Sequence, residues 1–159
     1  ALEWGAPPFE RRLEAARRCA RAGYEIRFVF MPLVPIEGWR QTYAEALEHA
    51  LSVVRPARIT LGGICSYPGA LSLTKARLGD QHLIPRLAST HHGRRLRFGL
   101  DTRTDMYRHL VQVLGRTADG IPVSLCLESE MAWRAADLDP LHCQCNCIAG
   151  CQDLLGSPA

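Results

Sequence analysis

Residues 10–39, ERRLEAARRCARAGYEIRFVFMPLVPIEGW, decide the fold. Just upstream and within the first half, Phe9, Leu13, Ala16 and Ala20 recur at spacings of four, three and four, with arginines on the opposite face. That period is helical and predicts a helix over 8–22. Pro7 and Pro8 suit its start and Gly23 its stop. The run EIRFVFMPLV (25–34) follows at once and is nearly continuous in apolar, β-favouring residues. Such a run predicts a strand buried on both faces, as in a parallel sheet. Pro32 lacks a backbone donor, and with Pro35 it predicts that ladder pairing fails beyond Met31 and gives way to a loop.

Working outward, Gly38 and Trp39 lead into a second helical pattern carried by Tyr43, Leu47, Leu51 and Val54, and Pro56 ends it. A short strand at 58–61 stops at Gly62 and Gly63. Helix, strand, helix, strand with short connections is the rhythm of an α/β layer or barrel. Residues 66–78 predict a loop with a short helix, and 95–98 a short strand. Thr104 is a suitable N-cap for a third helix reaching Leu114. The stretch 121–127 alternates, with Val123, Leu125 and Leu127 on one face and Ser124 and Cys126 on the other. A short helix over 128–136 follows, with Glu128 and Glu130 favourably placed at its positive N-terminal end. This organisation divides the chain into an α/β portion, 1–136, and a cysteine-rich tail, 137–159.

The 159 residues are 47% hydrophobic and 22% charged, a balance that suits one soluble domain with one core. No run approaches the roughly 18 apolar residues that a membrane span needs, so no membrane partner is expected. The first ten residues lack the basic start and apolar stretch of a secretory signal. Seven cysteines, four of them crowded into 143–151, do not form the spaced pairs of a secreted disulfide scaffold. A reducing, cytoplasmic setting is expected. The net charge of +3 permits contact with nucleic acid without requiring it. The densest basic stretch is His91, His92, Arg94, Arg95 and Arg97.

Four segments, taken in order, carry a resemblance. They are 10–39 quoted above, ARITLGGICSY (57–67), RRLRFGLDTRTDMYRHL (94–110) and IPVSLCLESEMAW (121–133), closing with CNC at 145–147. The first is the most specific: a helix ending in AGY, a strand, then P-x-x-P-x-x-GW. Together they resemble the later strands of the spore photoproduct lyase family. The resemblance implies the C-terminal part of a partial (β/α) radical S-adenosylmethionine barrel: an open α/β sheet with flanking helices and an exposed edge. In that family a C-x3-C-x2-C loop holds a 4Fe–4S cluster, and S-adenosylmethionine bound to it yields the radical that acts on a thymine dimer in DNA.

No C-x3-C-x2-C occurs in this sequence, so the cluster ligands and the family's cysteine hydrogen donor carry over to no residue here. The resemblance therefore implies a partner, the cluster-bearing N-terminal segment, and a chain that is inactive alone. It implies cofactor-wall roles for Met31 and Pro32 at the end of the first strand, and for Gly62 and Gly63 at the end of the second. The competing readings are a strand that merely ends in a loop and a glycine bulge. Glu37, Trp39 and Tyr67 are candidate substrate contacts, against plain packing of an aromatic at a helix start. The segment resembling the family's DNA-facing hairpin is shortened here to GRRLRFGLDTRTDMY (93–107), yet Arg94, Arg95, Arg97 and Arg103 keep the chemistry of phosphate binding. Cys65 reads as a small buried residue rather than a nucleophile.

The tail LHCQCNCIAGC (141–151) is the one metal-like constellation. Cys143, Cys145, Cys147 and Cys151 would suit zinc or an iron–sulfur centre by ligand softness, although C-x-C spacing is unlike the usual C-x2-C of zinc sites. Free tail thiols are the alternative. Two further readings compete with the enzyme part: a small zinc- and nucleic-acid-binding module, and an inactive remnant.

Overall fold

The computed structural model describes residues 5–79, 88–89 and 95–140. Its elements run α1 (Phe9–Arg21), β1 (Arg27–Leu33), α2 (Trp39–Val53), β2 (Arg58–Gly63), α3 (Pro68–Leu78), β3 (Ala88–Ser89), β4 (Leu96–Arg97), α4 (Leu100–Thr117), β5 (Val123–Leu125) and α5 (Glu130–Ala135). β1, β2 and β5 form one parallel sheet with β2 in the centre. β3 and β4 make a separate two-stranded antiparallel ribbon, tied to the loop after β2 by an antiparallel bridge from Ser66 to Leu96. The expected open sheet with flanking helices is what the chain forms.

Register sorts the side chains of the sheet into two sets. Phe28 lies beside Ile59 and Ile59 beside Val123; Phe30 lies beside Leu61 and Leu61 beside Leu125. These point to one face and meet Leu47 of α2, then Met106, Tyr107, Leu110, Val113 and Leu114 of α4, and Trp133 of α5. Ile59, Leu61, Leu110 and Leu125 are fully buried there. Burial of such side chains contributes roughly 1.5–3 kcal/mol apiece before the entropy of ordering them is set against it.

The other set is smaller and partly polar: Val29, Thr60 and Ser124 in one row. Here the expectation of a two-faced burial for β1 fails. Val29 is 51% exposed and Met31 38%, whereas Phe28 and Phe30 pack on the core. The apolar run of β1 reads as buried twice, but the helices that pack on the core cover only one of its faces.

Several boundaries shift for local reasons. β1 does not stop at Met31; after a register shift it pairs again at Leu33 with Gly63, with Pro32 standing in the interval. The third helix starts at Leu100, and Thr104 is inside it, its hydroxyl donating back to the carbonyls of Leu100 (3.0 Å) and Asp101 (3.2 Å) rather than capping. β5 ends at Leu125, and Leu127 turns the chain with a φ of 55°. Ser129 then caps α5, its hydroxyl accepting from the amide of Ala132 at 3.3 Å.

Leu110→Ala tests the core. It removes a fully buried side chain from the meeting point of sheet and helices. The expected cost is about 2–5 kcal/mol, read as a lower urea midpoint at unchanged slope.

Candidate functional site

The three parallel strands end on the same edge, and their ends bring sequence-distant residues together. Met31 and Pro32 close β1, Gly62 and Gly63 close β2, and Cys126 to Glu128 follow β5. Gly62 is buried between its neighbours: a Cβ there would stand 3.0 Å from Met31 Sδ and 3.3 Å from Cys126 Cβ. Gly63 is equally confined, with Tyr107 Oη 3.3 Å and Arg103 Cδ 3.4 Å from its own added Cβ. Neither glycine needs a positive φ; both are there because side chains close in on the backbone.

Under this mouth lies a buried ionic knot. Glu128 accepts from Arg103 Nε (2.8 Å) and Nη2 (3.1 Å), and from the Tyr107 hydroxyl (2.8 Å). Tyr107 in turn accepts from the amide of Gly63 at 2.8 Å. Arg103 Nη1 donates to the carbonyl of Phe98. Arg97 lies 3.5 Å from Glu128 and donates to the carbonyl of Leu127. One carboxylate thus fixes the ends of β2 and β5 and the start of α4. Burial, then the negative charge of Glu128 and the bond to it, push the Tyr107 phenol well above the usual tyrosine range; the Gly63 amide and Arg103 offset part of this.

Arg103 and Arg97, with 8% and 14% of their side chains exposed, are both committed inward to Glu128. The basic composition of 94–103 reads as a surface feature because charge is visible in sequence and its buried counter-charge, 25 residues from Arg103, is not. Glu128 itself reads as a helix-end charge; α5 begins only at Glu130, which pairs with Arg134 on the exposed side. A glutamate directly after an apolar strand, with two arginines near the start of the preceding helix, is the signal that could have found the knot.

Arg95 differs from its neighbours. It donates to Cys65 Sγ at 3.6 Å and lies 5.6 Å from the ring centre of Tyr67, which is 53% exposed. The bond to Cys65, then that to Tyr67, raises the Arg95 pKa, so its charge is fixed. Trp39 is half-buried against the core; Arg40 covers its ring at 4.4 Å and His109 meets it edge-on at 5.4 Å. Arg40 also grips Asp105 at 2.6 Å, so this cluster joins α2 to α4. The packing reading of Trp39 is the one its neighbours support. Glu37 is exposed in the loop after β1. Arg94 and the tail cysteines 143, 145, 147 and 151 lie outside the described residues. Among the described residues no group of three or more His, Cys, Asp or Glu could hold a metal ion, and no helix is long and apolar enough to cross a membrane.

Comparison with known proteins follows the same outline. A family model described as spore photoproduct lyase matches residues 1–61, the segment that builds α1, β1, α2 and the start of β2. The chain is related, in part, to the spore photoproduct lyase family. It is similar to spore photoproduct lyase of Geobacillus sp. (strain Y412MC61), 44% identical over 47 residues, and to that of Bacillus subtilis (strain 168), 39% over 47. Each match covers 30% of this chain and 14% of the relative. A solved spore photoproduct lyase complexed with a dinucleoside spore photoproduct shares the fold with a TM-score of 0.64 at 21% identity. That likeness covers 77% of this chain and 40% of the other. A mutant of the lyase with bound AdoMet and dinucleoside spore photoproduct gives 0.61 at 22% identity, over 75% of this chain and 38% of that one. The chain thus spans well under half the length of the relatives it matches.

Glu128→Ala leaves the Arg103 guanidinium buried without its counter-charge, and a loss of about 3–5 kcal/mol in unfolding free energy is expected. The phenol of Tyr107 makes a separate prediction. Its folded pKa lies above the unfolded value near 10, so its contribution to stability is complete below pH ~10 and falls as pH rises beyond it. Absorbance at alkaline pH should show Tyr107 ionising only together with loss of tertiary structure. Titration of all tyrosines in the still-folded protein would refute that.

Proposed function

We propose that this chain is the C-terminal part of a radical S-adenosylmethionine protein resembling spore photoproduct lyase, working in the cytoplasm with a cluster-bearing segment and acting on a photoproduct in DNA. The strand ends at Met31, Pro32, Gly62 and Gly63 would form the wall beside the adenosine portion of S-adenosylmethionine. The observation that carries this reading is the mouth itself. Met31 and Cys126 close over Gly62, so a partly exposed apolar thioether stands where the parallel strands end. Strand ends of this kind are where ligands of α/β folds gather. A solved lyase that shares the fold is described with bound AdoMet and the dinucleoside lesion, which supports ligands of these kinds.

The residues present fit one half of the cofactor set. The partly exposed Met31 side chain at the strand ends suits the apolar face of a nucleoside. The described residues offer no three-thiolate set for a 4Fe–4S cluster, and the sequence has no C-x3-C-x2-C. Three thiolates anchor such a cluster, so its ligands are assigned to the separate segment. Bound together, cluster and S-adenosylmethionine would supply the radical chemistry; this chain's part is to hold the adenosine side and shape the wall. At the rim, Tyr67 and Arg95 pair an exposed ring with a fixed cation, a combination suited to a base and its phosphate.

The test joins this chain to the upstream segment of the Geobacillus relative and measures S-adenosylmethionine affinity and 5′-deoxyadenosine formation. Met31→Ala, at a half-exposed side chain, should weaken S-adenosylmethionine binding several-fold with no change in the urea midpoint. Arg95→Ala should weaken the dinucleoside photoproduct instead and leave S-adenosylmethionine affinity alone. Wild-type affinities in both variants would remove the assignment.

A further inference from the structure

We infer that the outward face of α1, carrying Arg11, Arg18 and Arg21, binds the phosphate backbone of double-stranded DNA without reading its sequence. The inference rests on the reading of this chain as part of a protein that acts on DNA. It adds a surface that holds the polymer whether or not a lesion is present.

Charge is unevenly spread along the chain. α1 holds five arginines against two glutamates, an excess of three positive charges. The net charge of the whole chain is +3, so the remaining residues balance and the entire excess belongs to this one helix. Both of its acids are occupied: Glu14 accepts from Arg17 at 2.8 and 2.9 Å, and Glu10 meets His49 of α2 at 3.0 Å. Arg11, Arg18 and Arg21 are exposed, and among the described residues their guanidinium groups have no partner.

Helical spacing puts these three on one side. Phe9, Leu13 and Ala16 face the space between α1, β1 and α2, and Leu13 is buried there. At 3.6 residues per turn, Arg11 and Arg18 stand on the opposite side, roughly 10 Å apart along the axis, with Arg21 about one turn further. The helix gains nothing from them in isolation. Arg11 lies in the first turn, where the macrodipole disfavours a cation. Arg21 follows Arg17 by four residues and Arg18 by three, spacings at which like charges repel.

The chemistry of the face selects the partner. A row of arginines without an apolar centre lacks the core of a protein interface. The apolar side of α1 is turned toward α2 and β1, so it is not offered to a lipid surface. Phe9, the one aromatic of α1, is on that inner side, which leaves the outward face without a ring on which single-stranded bases could stack. Charge in a row remains, and arginine forks match phosphate oxygens. That combination suits the backbone of a duplex.

The full chain is titrated with a short undamaged duplex, and binding is read by fluorescence anisotropy between about 50 and 200 mM salt. Arg11→Gln with Arg18→Gln should weaken binding about tenfold or more and flatten the log–log salt slope by about 2. Arg116→Gln with Arg134→Gln removes the same charge from α4 and α5 and should keep the wild-type slope. Glutamine preserves helix propensity, and circular dichroism checks that each variant folds. Equal losses in the two double variants overturn the inference, as does a wild-type chain that leaves the duplex unbound. Tighter binding to phosphatidylserine vesicles or to single-stranded DNA than to the duplex overturns it as well. The two readings fail separately: an unchanged salt slope in the α1 variant sinks this one while 5′-deoxyadenosine formation stands. Loss of that activity beside an arginine-dependent slope sinks the functional reading alone.

Discussion

An ionised carboxylate whose side chain is 2% exposed is costly unless its lone pairs are filled, and Glu128 fills them with Arg103 and Tyr107. The arrangement around it explains more of the molecule than any apolar contact does. Arg103 ties the carboxylate to Phe98, Tyr107 ties it to Gly63, and Arg97 ties it to Leu127. Three stretches that are far apart in sequence, at Gly63, 97–107 and 127–128, are thereby held at one end of the sheet. The strand ends at Met31, Gly62 and Cys126 sit beside this anchor, so their placement depends on a buried charge pair.

The same constraint explains the glycines. With Tyr107 Oη 3.3 Å and Arg103 Cδ 3.4 Å from a Cβ at position 63, any larger residue would press on the knot. With Met31 and Cys126 as near to position 62, a larger residue there would displace the side chains that line the mouth. Paired glycines in such a place support both readings open at the sequence level, since close packing and a bare ligand wall require the same missing side chain.

The elements with strong periodicity were legible: α1, α2, the parallel strands and the rhythm that joins them follow from apolar spacing and from Gly and Pro at the boundaries. What escaped was what periodicity does not encode. The apolar run of β1 says how much surface wants burial, not how many faces will be covered. Thr104 looks like a cap because caps are common for threonine, but its hydroxyl is used inside the helix. Met31, Pro32, Gly62 and Gly63 lie at neighbouring strand ends, whereas two of the four arginines turn inward because their partner lies beyond the next strand. The relatives carry the family resemblance best in residues 1–61, and that is also the portion where local pattern alone is most informative.

The order of the sheet carries a consequence for how the molecule assembles. β1 and β2 are neighbours in sequence as well as in space, joined only by α2, so their pairing closes a short loop and can form early. β5 arrives after α3, the small ribbon and α4, and it brings Glu128 with it. The last strand to join is thus the one that neutralises the buried arginine. Without β5 in place Arg103 would have no buried counter-charge. Closure of the sheet and the placement of its strand ends therefore share one residue, a single glutamate.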